Sequence, residues 1–267
     1  MSRRVGLARR LLRMGAFARS LAVVVMRPDD LVEFSRQNYD NPEHVEGWGG
    51  DKVVDSGLWA EELDLLAKVP TAKGNLLLLG LGGGREAIPL ARMGFRVTGV
   101  DYLATMVERA QENAAQRGLQ IEGLVQEISQ LEVPASAYDV VFLSRSMYSC
   151  VPTRARRVEM IRRIARALKP GGFLLCQFRW RPGPPPSRRS ELLRRAVAVC
   201  SLGNLAYEEG DTLWGHEFVH LFASEDVVRE ELEEGGLTVV RIHGDTNTLK
   251  CAAVCRKGLE TGHDSMS

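Results

Sequence analysis

The sequence has no apolar run near the roughly 18 residues of a membrane-spanning helix. Its longest such stretch near the start, Leu21 to Met26, is also too short for a signal peptide, and no small-residue cleavage site follows it. Cysteine is sparse. The five residues, Cys150, Cys176, Cys200, Cys251 and Cys255, form no CxxC pair, and their number is odd. That argues against a zinc site or a disulfide framework and points to a reducing cytoplasm, with no metal expected. Strong net charge is missing too. The chain carries 35 Lys and Arg against 34 Asp and Glu, for a formal net charge of +1. A balance so near zero argues against non-specific nucleic-acid binding as the main activity. Acid is wholly absent from residues 1–27, which hold seven arginines, so the remainder is net acidic.

What the chain does have is 267 residues with 45% apolar content, enough for one substantial core with an appended cap. The rest is organised around residues 75–101, NLLLLGLGGGREAIPLARMGFRVTGVD. The apolar run Leu76 to Leu79 is the length of a buried strand. Gly80, Gly82, Gly83 and Gly84 follow, then a helical pattern from Arg85 to Met93 closed by Gly94. A second apolar run, Phe95 to Val100, ends in Asp101. The order is strand, glycine turn, helix, strand, acid: a βαβ unit. Glycines in such a turn allow positive φ and let a ligand touch bare backbone. An acid closing the second strand can accept hydrogen bonds from both hydroxyls of a ribose, so the stretch predicts a nucleoside-containing ligand. The turn lacks GKS or GKT, which excludes a P-loop. Position 85, where a dinucleotide fingerprint has its third glycine, is arginine.

The motifs LGLGGG (79–84), GVD (99–101), QEI (126–128), AYDVVFLS (137–144) and LKPGG (168–172) follow one another in an order and spacing that resemble the class I S-adenosylmethionine-dependent methyltransferases. The resemblance covers about residues 70–180 well and 216–255 loosely. It implies a doubly wound, Rossmann-like α/β fold with a mostly parallel seven-stranded sheet and an antiparallel C-terminal edge hairpin. It also implies S-adenosylmethionine as cofactor. By the same resemblance Gly80, Gly82 and Gly84, with Leu81 among them, line the methionine end of the cofactor. Asp101 holds the ribose and Tyr102 lies against the adenine. Glu127 stands where the family usually has aspartate and accepts from the adenine amino group, beside the backbone of Ile128. Ser144 sits near the sulfonium and the acceptor.

Around this unit the chain divides as follows. Residues 1–27 read as a basic tail or packing helix, with weak contact to an anionic membrane surface as the alternative. Residues 28–257 read as one methyltransferase domain. Within it, 28–70 form an N-terminal cap with Tyr39 and Trp48 as its large aromatics and a helix from about Gly57 to Lys68. Ala104 to Arg117 reads as an amphipathic helix stopped by Gly118. Leu119 to Glu127 and Tyr138 to Ser144 read as strands three and four. Thr153 caps a helix to Leu168, and Pro170-Gly171-Gly172 turns into strand five, Phe173 to Phe178. Residues 179–215 contain Pro182, Pro184, Pro185 and Pro186 and a helix from Ser187 to Cys200, and read as an insertion or lid over the acceptor. Glu217 to Phe222 is a further strand. Ser224 caps a helix to Glu234, and Leu237 to His243 with Lys250 to Arg256 make the edge hairpin. Cys251 and Cys255, four apart on that last strand, share a face as small core residues. Residues 258–267 read as a disordered tail.

The expected activity is in-line methyl transfer to a small-molecule acceptor. No Asn/Asp-Pro-Pro-Tyr motif stands at 144–149, where methyltransferases of nucleic-acid amino groups carry one, so no specific nucleic acid is predicted. The alternatives are a methyltransferase-like domain that binds cofactor without transfer, and an NAD-binding oxidoreductase. Such transfer needs alignment and sometimes a base. The candidate bases are Tyr148, just past strand four, and His216 and His220, which share one face of a predicted strand.

Overall fold

The computed structural model describes residues 15, 18–71, 73–181, 188–215, 217–245 and 250–259. Residues 1–14, the prolines at 182 and 184–186, Ser187, His216 and the tail from 260 onward lie outside the described residues, and the expectations attached to them go with them.

Seven strands form one sheet. In chain order they are β1 (Gly74–Leu79), β2 (Phe95–Asp101), β3 (Glu122–Val125), β4 (Tyr138–Leu143), β5 (Leu168–Arg179), and the pair β8 (Thr238–Asp245) and β9 (Lys250–Arg256). Their spatial order is β3-β2-β1-β4-β5-β9-β8. The first five run parallel, and β9 pairs antiparallel with both β5 and β8. β1 and β4 read as continuous apolar runs because both of their faces are covered. Leu77, Leu79, Val141 and Leu143 point to one face, under α8 (Arg154–Ala167) and α10 (Glu225–Glu234). Leu76, Leu78, Val140 and Phe142 point to the other, with Leu90 of α6 (Ala87–Arg92) and Val107 and Ala110 of α7 (Ala104–Gln116). Each of these eight strand residues is wholly inaccessible to solvent. Burying such a side chain stabilises by about 2 kcal/mol. The order of strands reverses between β1 and β4, which opens a crevice at their carboxyl ends.

The caps expected from sequence form. The hydroxyls of Thr153 and Ser224 accept from the backbone N–H of Arg156 and Val227. Among the described residues five helices precede the sheet: α1 (residues 18–25), α2 (Pro28–Tyr39), α3 (Pro42–Gly49), the short α4 (Asp51–Val54) and α5 (Ala60–Leu66). α2 and α3 both begin with proline at the first helical position, where its missing N–H is harmless. Val23 of α1 is buried against Leu31 of α2 and Phe218.

Two expectations need correction. Pro170-Gly171-Gly172 does not precede β5 but lies within it. Tyr138 pairs with Leu168 and Val140 with Phe173, so the extra residues are absorbed as a bulge, with Gly171 at φ +77°. The strand at Glu217 is β7 (Glu217–His220), and it does not join the main sheet. It forms a separate hairpin with β6 (Asp211–Trp214), which lies inside the stretch expected as an insertion or lid. This hairpin hangs from the end of β5, through Phe222 N–H to the Arg179 carbonyl and Arg181 N–H to the Phe222 carbonyl. α9 (Arg188–Ser201) lies between β5 and the hairpin in sequence.

Candidate functional site

The crevice above β1 and β4 holds a cavity of about 180 Å³, with a smaller chamber of about 70 Å³ beside it. They share Tyr39, Gly80, Asp101, Tyr102, Met147, Cys150 and Glu217 as walls, so they form one cleft. Gly80, Leu81, Gly82 and Gly83 line the larger chamber from the turn after β1. Gly80 has φ +91°, and a Cβ there would stand 2.8 Å from the Met147 Cγ. Gly82 has φ +51° and nothing nearer than 4.0 Å to where its Cβ would be, so bare backbone faces open space. Gly84, at φ +94°, is turned away from the cleft and lets α7 approach, with Ala110 atoms 3.5 Å from its would-be Cβ.

Asp101 ends β2 in the shared wall. Its Oδ2 accepts from Gly82 N–H at 2.9 Å and its Oδ1 from Leu103 N–H at 3.1 Å. Each oxygen keeps a further lone pair for a hydroxyl. Burial raises the Asp101 pKa above the ordinary carboxylate value, against the lowering effect of the N–H donors from Gly82, Leu103 and Tyr102. Tyr102 follows in the same wall, and its phenol is pushed up by burial and by the charge of Asp101. Glu127 and Ile128 line the smaller chamber. The longer Glu127 side chain bends back on itself. Its carboxylate accepts from Ser129 N–H at 3.0 Å and Ser129 Oγ–H at 2.7 Å, and so caps the short turn Ile128–Gln130.

Ser144, just past β4, donates its hydroxyl to Glu86, and Arg85 bonds the same carboxylate. Arg85 also holds Glu62 through two bonds, of 2.9 and 2.6 Å, and stacks 3.9 Å over Trp59. Burial opposes the charge on Arg85, but Glu62 and Glu86 outweigh it and hold the guanidinium protonated. The arginine that breaks the dinucleotide fingerprint is thus the tie between the glycine turn and the cap. Asn113 adds a second tie, donating to the carbonyls of Gly49 and Gly83 at 3.0 and 2.9 Å.

Of the candidate bases, Tyr148 and His220 are not brought to the cleft. After β4 the chain enters a 3₁₀ turn, Met147–Cys150, with three residues per turn. Met147 and Cys150 therefore share a face and line both chambers, while Tyr148 is sent into the core. The Tyr148 hydroxyl donates to Glu231 at 2.6 Å, and its ring stacks on Phe222 at 5.2 Å. Burial and Glu231 push the phenol far up. His220 is buried with Phe218 on one face of β7, its Nδ1 2.8 Å from Asp211. His216 lies outside the described residues.

The opposite face of β7 carries what sequence reasoning missed. Glu217 reaches both chambers and accepts the Tyr39 hydroxyl at 2.5 Å, with the Cys150 thiol 3.9 Å away. Arg145 and Arg179, from the ends of β4 and β5, line the larger chamber. Period-two alternation along the strand expected from Glu217 sets Glu217 on the face opposite His216 and His220, and that signal could have found it.

Residues 76–172 match a family model described as a methyltransferase domain. An S-adenosyl-L-methionine-dependent Diels-Alderase of Talaromyces variabilis is 28% identical over 156 residues, 56% of this chain and 52% of that protein. A ubiquinone biosynthesis O-methyltransferase of Paramagnetospirillum magneticum is 39% identical over 100 residues, 38% of each chain. The chain thus spans about half or less of the length of the curated relatives it matches. Among solved structures, a SAM-dependent methyltransferase from Methanosarcina mazei aligns with a TM-score of 0.58 at 21% identity, over 76% of this chain and 100% of that one. One from Clostridium acetobutylicum aligns with a TM-score of 0.57 at 14% identity, over 78% and 96%. Such identities speak for the fold, and the family model speaks for the glycine turn, Asp101 and β4. Residues 76–172 thus carry a match to the methyltransferase-domain family, and the chain has the fold of the S-adenosylmethionine-dependent methyltransferases it aligns with.

Proposed function

We propose that the protein transfers a methyl group from S-adenosylmethionine to a small-molecule acceptor held in the larger chamber. The observation that carries this is one wall: the bare backbone of Gly80 and Gly82 and the Asp101 carboxylate face the same cleft at the carboxyl ends of β1 and β2. The residues fit a nucleoside. Asp101 has lone pairs left for two ribose hydroxyls, and Tyr102, Glu127 and Ile128 flank a smaller chamber suited to the base. The bound cofactor supplies a methyl group already activated by its sulfonium. The chain's part is alignment and the removal of water. Gly80 to Gly82 and Ser144 wall the methionine side, Leu81 contributing backbone, while Gly84 packs the turn on α7. The Tyr39–Glu217 pair is the group placed to take a proton from an acceptor, because the Glu217 carboxylate faces the cleft and Tyr148 and His220 do not. Small-molecule transfer is supported by relatives whose names make them ubiquinone biosynthesis O-methyltransferases. A second reading, cofactor binding without transfer, is favoured by the relative named as an S-adenosyl-L-methionine-dependent Diels-Alderase. Incubating the protein with methyl-labelled S-adenosylmethionine and a metabolite extract decides between them. Transfer requires labelled product with stoichiometric S-adenosylhomocysteine, and cofactor binding without either leaves the second reading.

A further inference from the structure

The larger chamber carries two positive charges that the fold does not use. Among the described residues, the two fully buried arginines each hold carboxylates. Arg85 holds Glu62 and Glu86, and Arg157 holds Glu231 and Glu208. Arg145 and Arg179 are partly buried in the wall of the cleft, and among the described residues neither guanidinium makes an ion pair or a side-chain hydrogen bond. Their contacts are aromatic. Arg145 lies 4.4 Å over the Trp48 ring and 4.8 Å over Trp59, and Arg179 lies 5.3 Å over Trp214. Stacking on the flat face fixes a guanidinium and leaves its edge N–H groups free, the edge that bonds a carboxylate in a fork.

Both backbones are pinned so that the side chains face this way. Arg145 sits at φ +49°, a left-handed conformation that a residue with a side chain adopts at a cost, and its N–H donates to the Gln177 side chain at 3.0 Å. Arg179 N–H donates to Ser149 Oγ at 2.8 Å. Burial, and the nearby charges of Arg85 and Arg179, disfavour the charge on Arg145 and outweigh the support it draws from the Glu86 and Glu217 carboxylates in the same chamber. Both arginines also act on the thiol of Cys150, so their fields meet on one wall of the cleft. A desolvated pair of cations with free edges is matched by an anion. Neither arginine lines the smaller chamber, where Glu127 stands; Asp101 and Glu217 line both chambers, and Glu86 the larger.

We propose that the larger chamber is a carboxylate-binding site and that the acceptor is an organic acid, its carboxylate held by Arg145 and Arg179. This rests on the methyltransferase reading above and names its substrate class. The same chemistry has a second source, the carboxylate of the cofactor's methionine tail, which one guanidinium can take; the second then remains for the acceptor.

The test uses the full chain and tryptophan fluorescence, since Trp48, Trp59 and Trp214 report on these arginines. Benzoate and octanoate are titrated against benzamide and octanamide, each with and without saturating S-adenosylhomocysteine. The acids should give saturable changes at millimolar concentration and the amides none. Arg179→Gln and Arg145→Gln should each weaken the acids at least about tenfold, and Arg179→Lys should recover part of the loss. Amides binding as well as acids, or no binding of either acid, overturns the proposal. The two sources separate in a second arm comparing S-adenosylhomocysteine with 5′-methylthioadenosine, which lacks the methionine tail. If both glutamine variants weaken only the former and leave the acids unaffected, both guanidiniums serve the cofactor and the acid acceptor is wrong. If the wild-type chain binds acids but not S-adenosylhomocysteine, the carboxylate site stands and the methyltransferase reading fails.

Discussion

Asp101 shows how one side chain serves fold and ligand together. Its carboxylate fixes the Gly82 and Leu103 N–H groups, and what remains of its acceptor capacity faces the cleft. Asp101→Ala would therefore strand two buried donors, a structural loss of about 1–3 kcal/mol each. Asp101→Asn is the cleaner probe. It keeps the shape and removes the charge, and should weaken S-adenosylhomocysteine by about 2–4 kcal/mol in calorimetry; unchanged affinity would remove Asp101 from the site. The pH dependence has a definite sign. Because burial raises the Asp101 pKa, the folded state holds that proton more tightly than the unfolded chain does. The group's contribution to apo stability is thus greatest in acid and is lost as pH rises through the raised value. Binding needs the anion and runs the other way, weakening as pH falls through the same value. Tyr148 carries the opposite lesson. Counting residues past β4 places it near the chemistry, but the 3₁₀ turn rotates it into a buried network with Glu231 and Arg157. Tyr148→Phe should lower stability by about 1–2 kcal/mol in urea unfolding and leave the rate of transfer within a few-fold of the parent. A hundredfold loss of turnover would restore it as a base.

At the scale of elements, the cap and the hairpin decide the site, and they were the least legible. β1, β2 and β4 announce themselves through consecutive apolar residues, and Thr153 and Ser224 mark their helices through cap chemistry. α2 and α3 had signals as well, Pro28 and Pro42 at first helical positions and Asn41 as a cap, but the packing of α2 on β7 and of α3 on the glycine turn is a tertiary fact. The hairpin of β6 and β7 could not be told from a main-sheet strand, because four-residue runs carry no partner information. Cofactor-facing residues were readable since they sit in short local motifs. Arg145 and Arg179 were not, since they meet only after β4, β5 and the hairpin converge. The cap is held close. A Cβ on Gly83 would lie 2.5 Å from both the Gly49 Cα and the Trp48 carbonyl oxygen. Those atoms are backbone and cannot swing aside, so Gly83→Ala should displace α3. The expected outcome is about 1–3 kcal/mol less stability and weaker S-adenosylhomocysteine binding, with Trp48 fluorescence shifted toward that of exposed indole. A variant with parental spectrum and affinity would show that α3 does not close over the turn.

At the scale of the whole molecule, the two faces of the sheet are filled by different helices, and the crevice opens where the strand order reverses. No described helix is long and apolar enough to cross a membrane. The described part of the basic N-terminal segment packs: Val23 and Val24 are buried, and the Asn204 N–H donates to the Val24 carbonyl at 2.8 Å. The proposed methyl transfer depends on the cleft taking S-adenosylmethionine. The most direct measurement is calorimetric titration of the full chain with S-adenosylhomocysteine and, separately, with NAD. The expected result is saturable one-to-one binding of S-adenosylhomocysteine, lost in Asp101→Asn, and no heat with NAD. Binding of NAD without S-adenosylhomocysteine, or of neither, would contradict it.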